Sequence, residues 1–339
     1  MSGTTAGRIM TGATTRMNAL QAVNAAIAEA MANDPKVILL GEDVADPEGG
    51  GVVGTTKGLS TRFGDDRVKS TPISEQAIIG AAIGAAIGGY RPIAEIMLMN
   101  FTTVAMDMIV NHAAKLRFMS GGQTAVPITI HMLTGAGAST GGQHADHLEA
   151  WFAHTAGLKV VAPSCATDYK GLMLSCISDP DPCIFIESMR TLFVPEEVPN
   201  DQGPIPLGKA NVIQEGNDVT IVAYSGMVIT ARQAVQKLAE DGISVELIDL
   251  RTVAPWDRDC VLASVRKTGR AVLVHEAVRS FGVGAEIAAT IHEELWGVLK
   301  APVRRLGAPY SPVPFSKPLE NAFLVQPDAV IAAVRSTLN

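Results

Sequence analysis

A single carboxylate stands at the head of an otherwise apolar, glycine-spaced stretch, TPISEQAIIGAAIGAAIGG, residues 71–89. Thr71-Pro72 stops whatever precedes it, Ser74 is a good helix N-cap type, and Glu75 falls in the first turn, where the helix dipole favours an acid. That role alone needs no chemistry. Held among apolar residues, however, a carboxylate can carry a raised pKa and share a proton with a partner nitrogen, as acid–base work near neutral pH requires. The second candidate is His144, in the glycine-rich segment GAGASTGGQHADHLEAWFAH over residues 135–154. A histidine in a loop after a strand is as well placed to move protons as to pack.

Three other patterns compete. Gly135-Ala136-Gly137 follows an apolar run as a dinucleotide fingerprint would, but the third glycine position holds Thr140 and no suitably placed acid follows a second strand. His144, Asp146 and His147 form H-x-D-H, which can hold a metal, yet no cysteine or third histidine stands at a matching spacing. Asp179 and Asp181, in SDPDP, most simply make a turn.

Several elements must position these groups. A helix is expected over 17–34, with an apolar stripe through Leu20, Val23, Ile27 and Met31, ending at Pro35. KVILLGEDV (36–44) reads as a strand buried on both faces, and the glycine-rich loop behind it either moves or clamps something. The helix opened by Ser74 carries Gly80, Gly84 and Gly88 beside Ala77, Ala81 and Ala85. Interior glycines cost about 1 kcal/mol each relative to alanine, so that face is reserved for close backbone approach. RPIAEIMLMNF (91–101) is a strand that brings Glu95, Asn100 and Phe101 toward its carboxyl end, where ligands of open α/β sheets sit.

A helix over 102–119, strands over 126–133 and 157–164, a helix over 168–178 and a strand over 182–188 complete a βα alternation. Residues 193–208, rich in proline and acid, read as a linker. The alternation then restarts with DVTIVAYSG, ISVELIDLRTV and RAVLVHEAV, and QPDAVIAAVRSTL closes the chain as an amphipathic helix. The expected organisation is two doubly wound α/β domains, 17–192 and 209–339, behind a flexible arm of residues 1–16.

Composition narrows the function classes. The chain has 339 residues, a net charge of −7 and 47% apolar against 18% charged residues. That balance, with no lysine or arginine run, argues against nucleic acid, and no apolar run is long enough to span a bilayer. Cys165, Cys176, Cys183 and Cys260 lack C-x-x-C spacing and read as reduced thiols, so a cytoplasmic location is expected.

The segments TPISEQAIIGAAIGAAIGGYRPIAEIMLMNF, GGQHADHLEAWFAHTAGLKVVAPS, VELIDLRTVAPWD and GAPYSPVPFS together resemble the beta chain of the thiamine-diphosphate-dependent decarboxylating component of 2-oxo acid dehydrogenase complexes. The resemblance covers residue 17 to the end. It implies a pyrimidine-binding domain followed by a transketolase C-terminal-like domain. Pyruvate, branched-chain and acetoin dehydrogenase beta chains all fit, and GGGVVGTTKGL is most similar to the acetoin and related bacterial forms.

By position, the resemblance makes Glu75 the carboxylate on the aminopyrimidine N1′, Phe101 the ring stacked on the pyrimidine, and His144 the acid/base. It further implies a potassium ion held by Asp179 and Asp181 with the carbonyls of Ile128 and Cys176. The glycine-aspartate-glycine motif that holds Mg²⁺ and the diphosphate in this superfamily is absent, so those ligands are expected on an alpha subunit in an α2β2 heterotetramer, with a lipoyl acyltransferase as acceptor. A split transketolase beta chain is the alternative enzyme. A non-catalytic structural subunit is the third reading.

Overall fold

A computed structural model describes residues 13–339. The first helix begins where its side chains close the chain's own donors. Asn18 Oδ1 accepts from the Gln21 backbone N–H at 3.0 Å while Gln21 Oε1 accepts from the Asn18 N–H at 3.0 Å. Through the first half, the elements are β1 (Thr14–Met17), α1 (Ala19–Asn33), β2 (Val37–Glu42), α2 (Leu59–Phe63), β3 (Val68–Thr71), α3 (Glu75–Ile87), β4 (Arg91–Leu98), α4 (Thr102–Asp107), α5 (Ala114–Met119), β5 (Thr129–Thr134), α6 (Glu149–Ala153), β6 (Lys159–Val161), α7 (Ala166–Ser178) and β7 (Cys183–Ser188). The second half adds β8 (Glu196–Pro199), β9 (Asn211–Gln214), β10 (Val219–Ala223), α8 (Met227–Glu240), β11 (Val245–Asp249), β12 (Thr252–Ala254), α9 (Arg258–Thr268), β13 (Ala271–Val278), α10 (Val283–Leu295), β14 (Arg304–Ala308), α11 (Lys317–Phe323) and α12 (Pro327–Leu338).

The strands form a seven-stranded sheet in the order β12-β6-β7-β5-β4-β2-β3 and a five-stranded sheet in the order β14-β13-β10-β11-β9. Each is parallel except at one edge, where β12 and β9 run antiparallel to their neighbours. β5 and β7 are buried along their whole length, as parallel strands covered by helices on both faces must be. The doubly wound α/β architecture expected from the sequence is the one observed. One buried cluster, including Phe152, Ile184, Tyr224, Leu250 and Leu273, runs from the first sheet into the second. Among the described residues, no helix is long and apolar enough to cross a membrane.

Three local readings need correction. Of the arm expected over residues 1–16, residues 1–12 lie outside the described part, and Thr14–Met17 is a strand paired antiparallel with β8, inside the segment read as linker. Main-chain pairing orders both, and neither has an apolar period to announce it. ISVELIDLRTV is two strands, not one. Arg251 takes φ +59° and forks its guanidinium onto the buried Asp168 carboxylate at 2.8 and 2.7 Å, turning β12 away to join the first sheet. The helix over 102–119 is continuous but wound as a π-helix from Met108 to Ala113, which shifts the side chains behind it around the axis.

Candidate active site

Four neighbouring parallel strands, β5, β4, β2 and β3, end on the same edge of the first sheet. Glu75 opens α3 just after β3 and is half-buried, with Ser74 at the N-cap but making no side-chain cap bond. Glu42 ends β2. Burial first, and then the charges of Asp43 and Glu75, hold its carboxyl above the usual range. Glu42 is missing from the residues singled out by sequence, although an acid ending a buried strand is the signal that could find it.

After β4 the chain makes a tight turn over Met99–Phe101. The half-buried Phe101 ring meets the His144 imidazole edge to face, with centroids 5.6 Å apart and planes at 73°. The structure thus brings Phe101 and His144 together from two strand ends. His144 Nδ1 is buried without a hydrogen-bond partner. Beside Phe101, the Asn100 amide bonds to the His144 loop: Nδ2 donates to the Gly142 carbonyl at 3.0 Å and to Asp146 Oδ2 at 2.9 Å, and Oδ1 accepts from the Asp146 N–H at 3.2 Å.

The same loop, residues 135–148, is held from the second domain. Glu276 accepts from the Ala136 N–H at 2.7 Å. Glu320, fully buried, accepts from the N–H groups of Gly137 at 2.6 Å and Ser139 at 3.0 Å. Gly141 takes φ +78°, and a Cβ there would collide with the Phe315 ring.

The H-x-D-H residues go separate ways. His147 points into a buried cluster between the domains, with Nδ1 3.5 Å from Glu149 and Nε2 3.5 Å from Glu276. Burial opposes charge on that ring, but the two carboxylates outweigh it and raise His147 to about 10. Burial likewise opposes charge on Glu149, whereas His147 and the Tyr224 hydroxyl, donating at 2.6 Å, bring it down to about 2. Deeper in the sheet, His131 lies 2.9 Å from Glu187 and 3.4 Å from Glu95, all fully buried. Burial raises Glu95 to about 7 against the pull of His131. Glu95 therefore sits inside the sheet, not at the strand end with Asn100 and Phe101.

Ile128, Cys176, Asp179 and Asp181 gather at the far end of the sheet. Lys159 Nζ lies 2.6 Å from both Asp179 oxygens and 3.4 Å from Asp181, which also takes Arg117 at 2.5 Å. The Ile128 carbonyl accepts from Cys183 N–H at 2.9 Å and that of Cys176 from Asp179 N–H at 3.2 Å. The two carboxylates thus face cations of the chain itself, Lys159 and Arg117.

Known proteins resemble both halves of this chain. Residues 15–193 match the family described as transketolase, pyrimidine binding domain, and residues 208–330 match transketolase, C-terminal domain. Over 325 residues the chain is 44% identical to the acetoin:2,6-dichlorophenolindophenol oxidoreductase subunit beta of Cupriavidus necator, covering 94% of this chain and 96% of that one. It is 43% identical over 324 residues to the pyruvate dehydrogenase E1 component subunit beta of Staphylococcus aureus, covering 95% and 99%.

The chain belongs to the family of dehydrogenase E1 beta subunits.

This beta subunit shares its fold with a split-gene transketolase solved as an inactive beta4 tetramer, at a TM-score of 0.79 and 24% identity over 95% of this chain and 98% of that one. A Pichia stipitis transketolase variant superposes with a TM-score of 0.68 at 17% identity, over 95% of this chain and 46% of that one. Likeness at those identities bears on the fold alone.

Proposed function

We propose that this beta subunit builds the aminopyrimidine half of a thiamine diphosphate site and, with an alpha subunit in an α2β2 heterotetramer, cleaves acetoin or a 2-oxo acid and passes the acyl group to a lipoyl group on an acyltransferase partner. The observation that carries this is the placement of Glu75, Phe101 and His144 on one edge of the sheet, with Phe101 and His144 in contact. These side chains fit the pyrimidine: an acid at a helix N-terminus, a half-exposed aromatic ring and a histidine with an unpartnered buried nitrogen.

When bound, thiamine diphosphate supplies a nucleophilic thiazolium carbon and an electron sink. Glu75 would hold a proton at the pyrimidine N1′, and Phe101 would fix the ring by stacking. His144 would give or take a proton at the substrate oxygen or the lipoyl sulfur. Mg²⁺ belongs to the alpha subunit in this reading, since the glycine-aspartate-glycine motif that holds it in this superfamily does not occur in the sequence.

Titration calorimetry tests the shared site. The chain alone should bind thiamine diphosphate weakly and lack decarboxylase activity, and addition of its alpha subunit should restore both. Tight stoichiometric binding by the chain alone would overturn the reading. Reductive acylation of a lipoyl domain with acetoin and with pyruvate then identifies the substrate. The glycine-rich 49–59 segment favours acetoin. Ketol transfer between sugar phosphates would move the assignment to the transketolase alternative.

A further inference from the structure

We infer that Asn100 is the residue that positions His144. The inference rests on the reading of His144 as the acid/base, and it adds a residue that would neither touch the cofactor nor exchange a proton.

The His144 loop is long and rich in glycine, so its own residues do little to fix where the imidazole points. Asn100 bonds to it on both sides of that imidazole. Its amide NH₂ donates to the carbonyl of Gly142, two residues before His144, and to the carboxylate of Asp146, two residues after it. Its carbonyl oxygen takes the Asp146 N–H. One side chain therefore satisfies three groups that bracket the histidine. The Asp146 carbonyl is tied separately by Oγ1 of Thr134, the last residue of β5, at 2.7 Å. Asn100 also precedes Phe101 in the same turn, so the stacking ring and the loop bearing His144 are registered against each other by adjacent residues of one turn. Only an amide has both a donor pair and an acceptor to supply here. An aspartate would lose the donor to Gly142 and set its charge against Asp146.

A displacement of about 1 Å at an acid/base can cost on the order of 10²-fold in rate. The test uses the assembled α2β2 enzyme with four variants: Asn100→Ala, Asn100→Asp, the exchange Asn100→Asp with Asp146→Asn, and His144→Ala. Three quantities are read: hydrogen–deuterium exchange at the thiazolium C2, reductive acylation of a lipoyl domain, and the rate of His144 carbethoxylation by diethyl pyrocarbonate, located by mass spectrometry.

Asn100→Ala and Asn100→Asp should slow reductive acylation by about 10–100-fold, speed carbethoxylation of His144, and leave C2 exchange within about twofold of the parent. The exchanged pair restores two of the three bonds, with the new amide at position 146 now the donor, and should recover most of the rate and the protection. Three outcomes overturn the inference: C2 exchange falling in step with acylation, which would place Asn100 at Phe101 and the cofactor; unchanged His144 reactivity; or no recovery in the exchanged pair. His144→Ala separates the two readings. If it leaves acylation intact, the acid/base reading fails, while the carbethoxylation rates still decide whether Asn100 holds the ring.

Discussion

Glu75 differs from a plain helix-dipole acid by a single proton, and Glu75→Gln isolates it. The amide keeps the shape and the helix start but cannot share a proton with N1′. C2 hydrogen–deuterium exchange in the assembled enzyme should fall by about 10²-fold or more, with the α2β2 assembly retained. An unchanged exchange rate would return Glu75 to its dipole role. The positions of Glu75, Phe101 and His144 are legible in the sequence, after Thr-Pro at a helix start, past the end of an apolar run and within a glycine-rich loop, while their roles come from the family resemblance. Asn100 is visible there only as a strand-end residue. Its hydrogen bonds reach 42 and 46 residues along the chain, and no local pattern encodes a partner that distant. His147 is the reverse: next to Asp146 in what reads as a metal motif, it faces away into carboxylates supplied by α6 and β13.

The 135–148 loop is the element that decides the chemistry, and its shape comes from outside itself. Its glycines are legible in the sequence; the side chains that fill the space they leave are not, because Glu276, Phe315 and Glu320 belong to the second domain. Gly141 shows the dependence. Its φ of +78° favours glycine, and the Phe315 ring occupies the space of a side chain. Gly141→Ala should lower stability by about 1–3 kcal/mol, read as a shift in thermal or urea unfolding. It should also slow reductive acylation more than C2 exchange, because the loop moves while Glu75 stays. Wild-type stability in this variant would mean that the loop tolerates rearrangement and that Phe315 does not brace it. The same dependence explains the β11–β12 misreading. Apolar residues recur to the end of ISVELIDLRTV, and Asp168, whose pairing with Arg251 across the domains helps turn the chain, lies outside that stretch.

On the scale of the whole molecule, the two domains meet over buried charge as well as apolar surface, so their union responds to pH. His147 stands between Glu149 of its own domain and Glu276 of the second, and Tyr224 of the second domain donates to Glu149. The folded pKa of His147, about 10, lies above the ordinary value of 6.5. Its contribution is therefore complete below pH 6.5 and is lost as pH rises from there through about 10. Glu149 runs the other way. With a folded value of about 2 against 4.5, it contributes above pH 4.5 and loses that contribution as pH falls toward 2. Glu95 and Asp249 are both raised to about 7 by burial and favour the folded state least once ionised, adding a decline as pH climbs toward neutrality. Because these declines adjoin near pH 7, the wild-type profile alone does not separate the part due to His147. His147→Gln can. The variant should be less stable than the parent at about pH 6, and the gap between the two unfolding midpoints should narrow steadily from about pH 7 to about pH 10, because folding of the parent must take up a proton that the unfolded histidine no longer carries. A gap that stays constant over that range would mean His147 is neutral in the folded chain, leaving Glu149 and Glu276 to be held by Tyr224 and the Ala136 N–H alone.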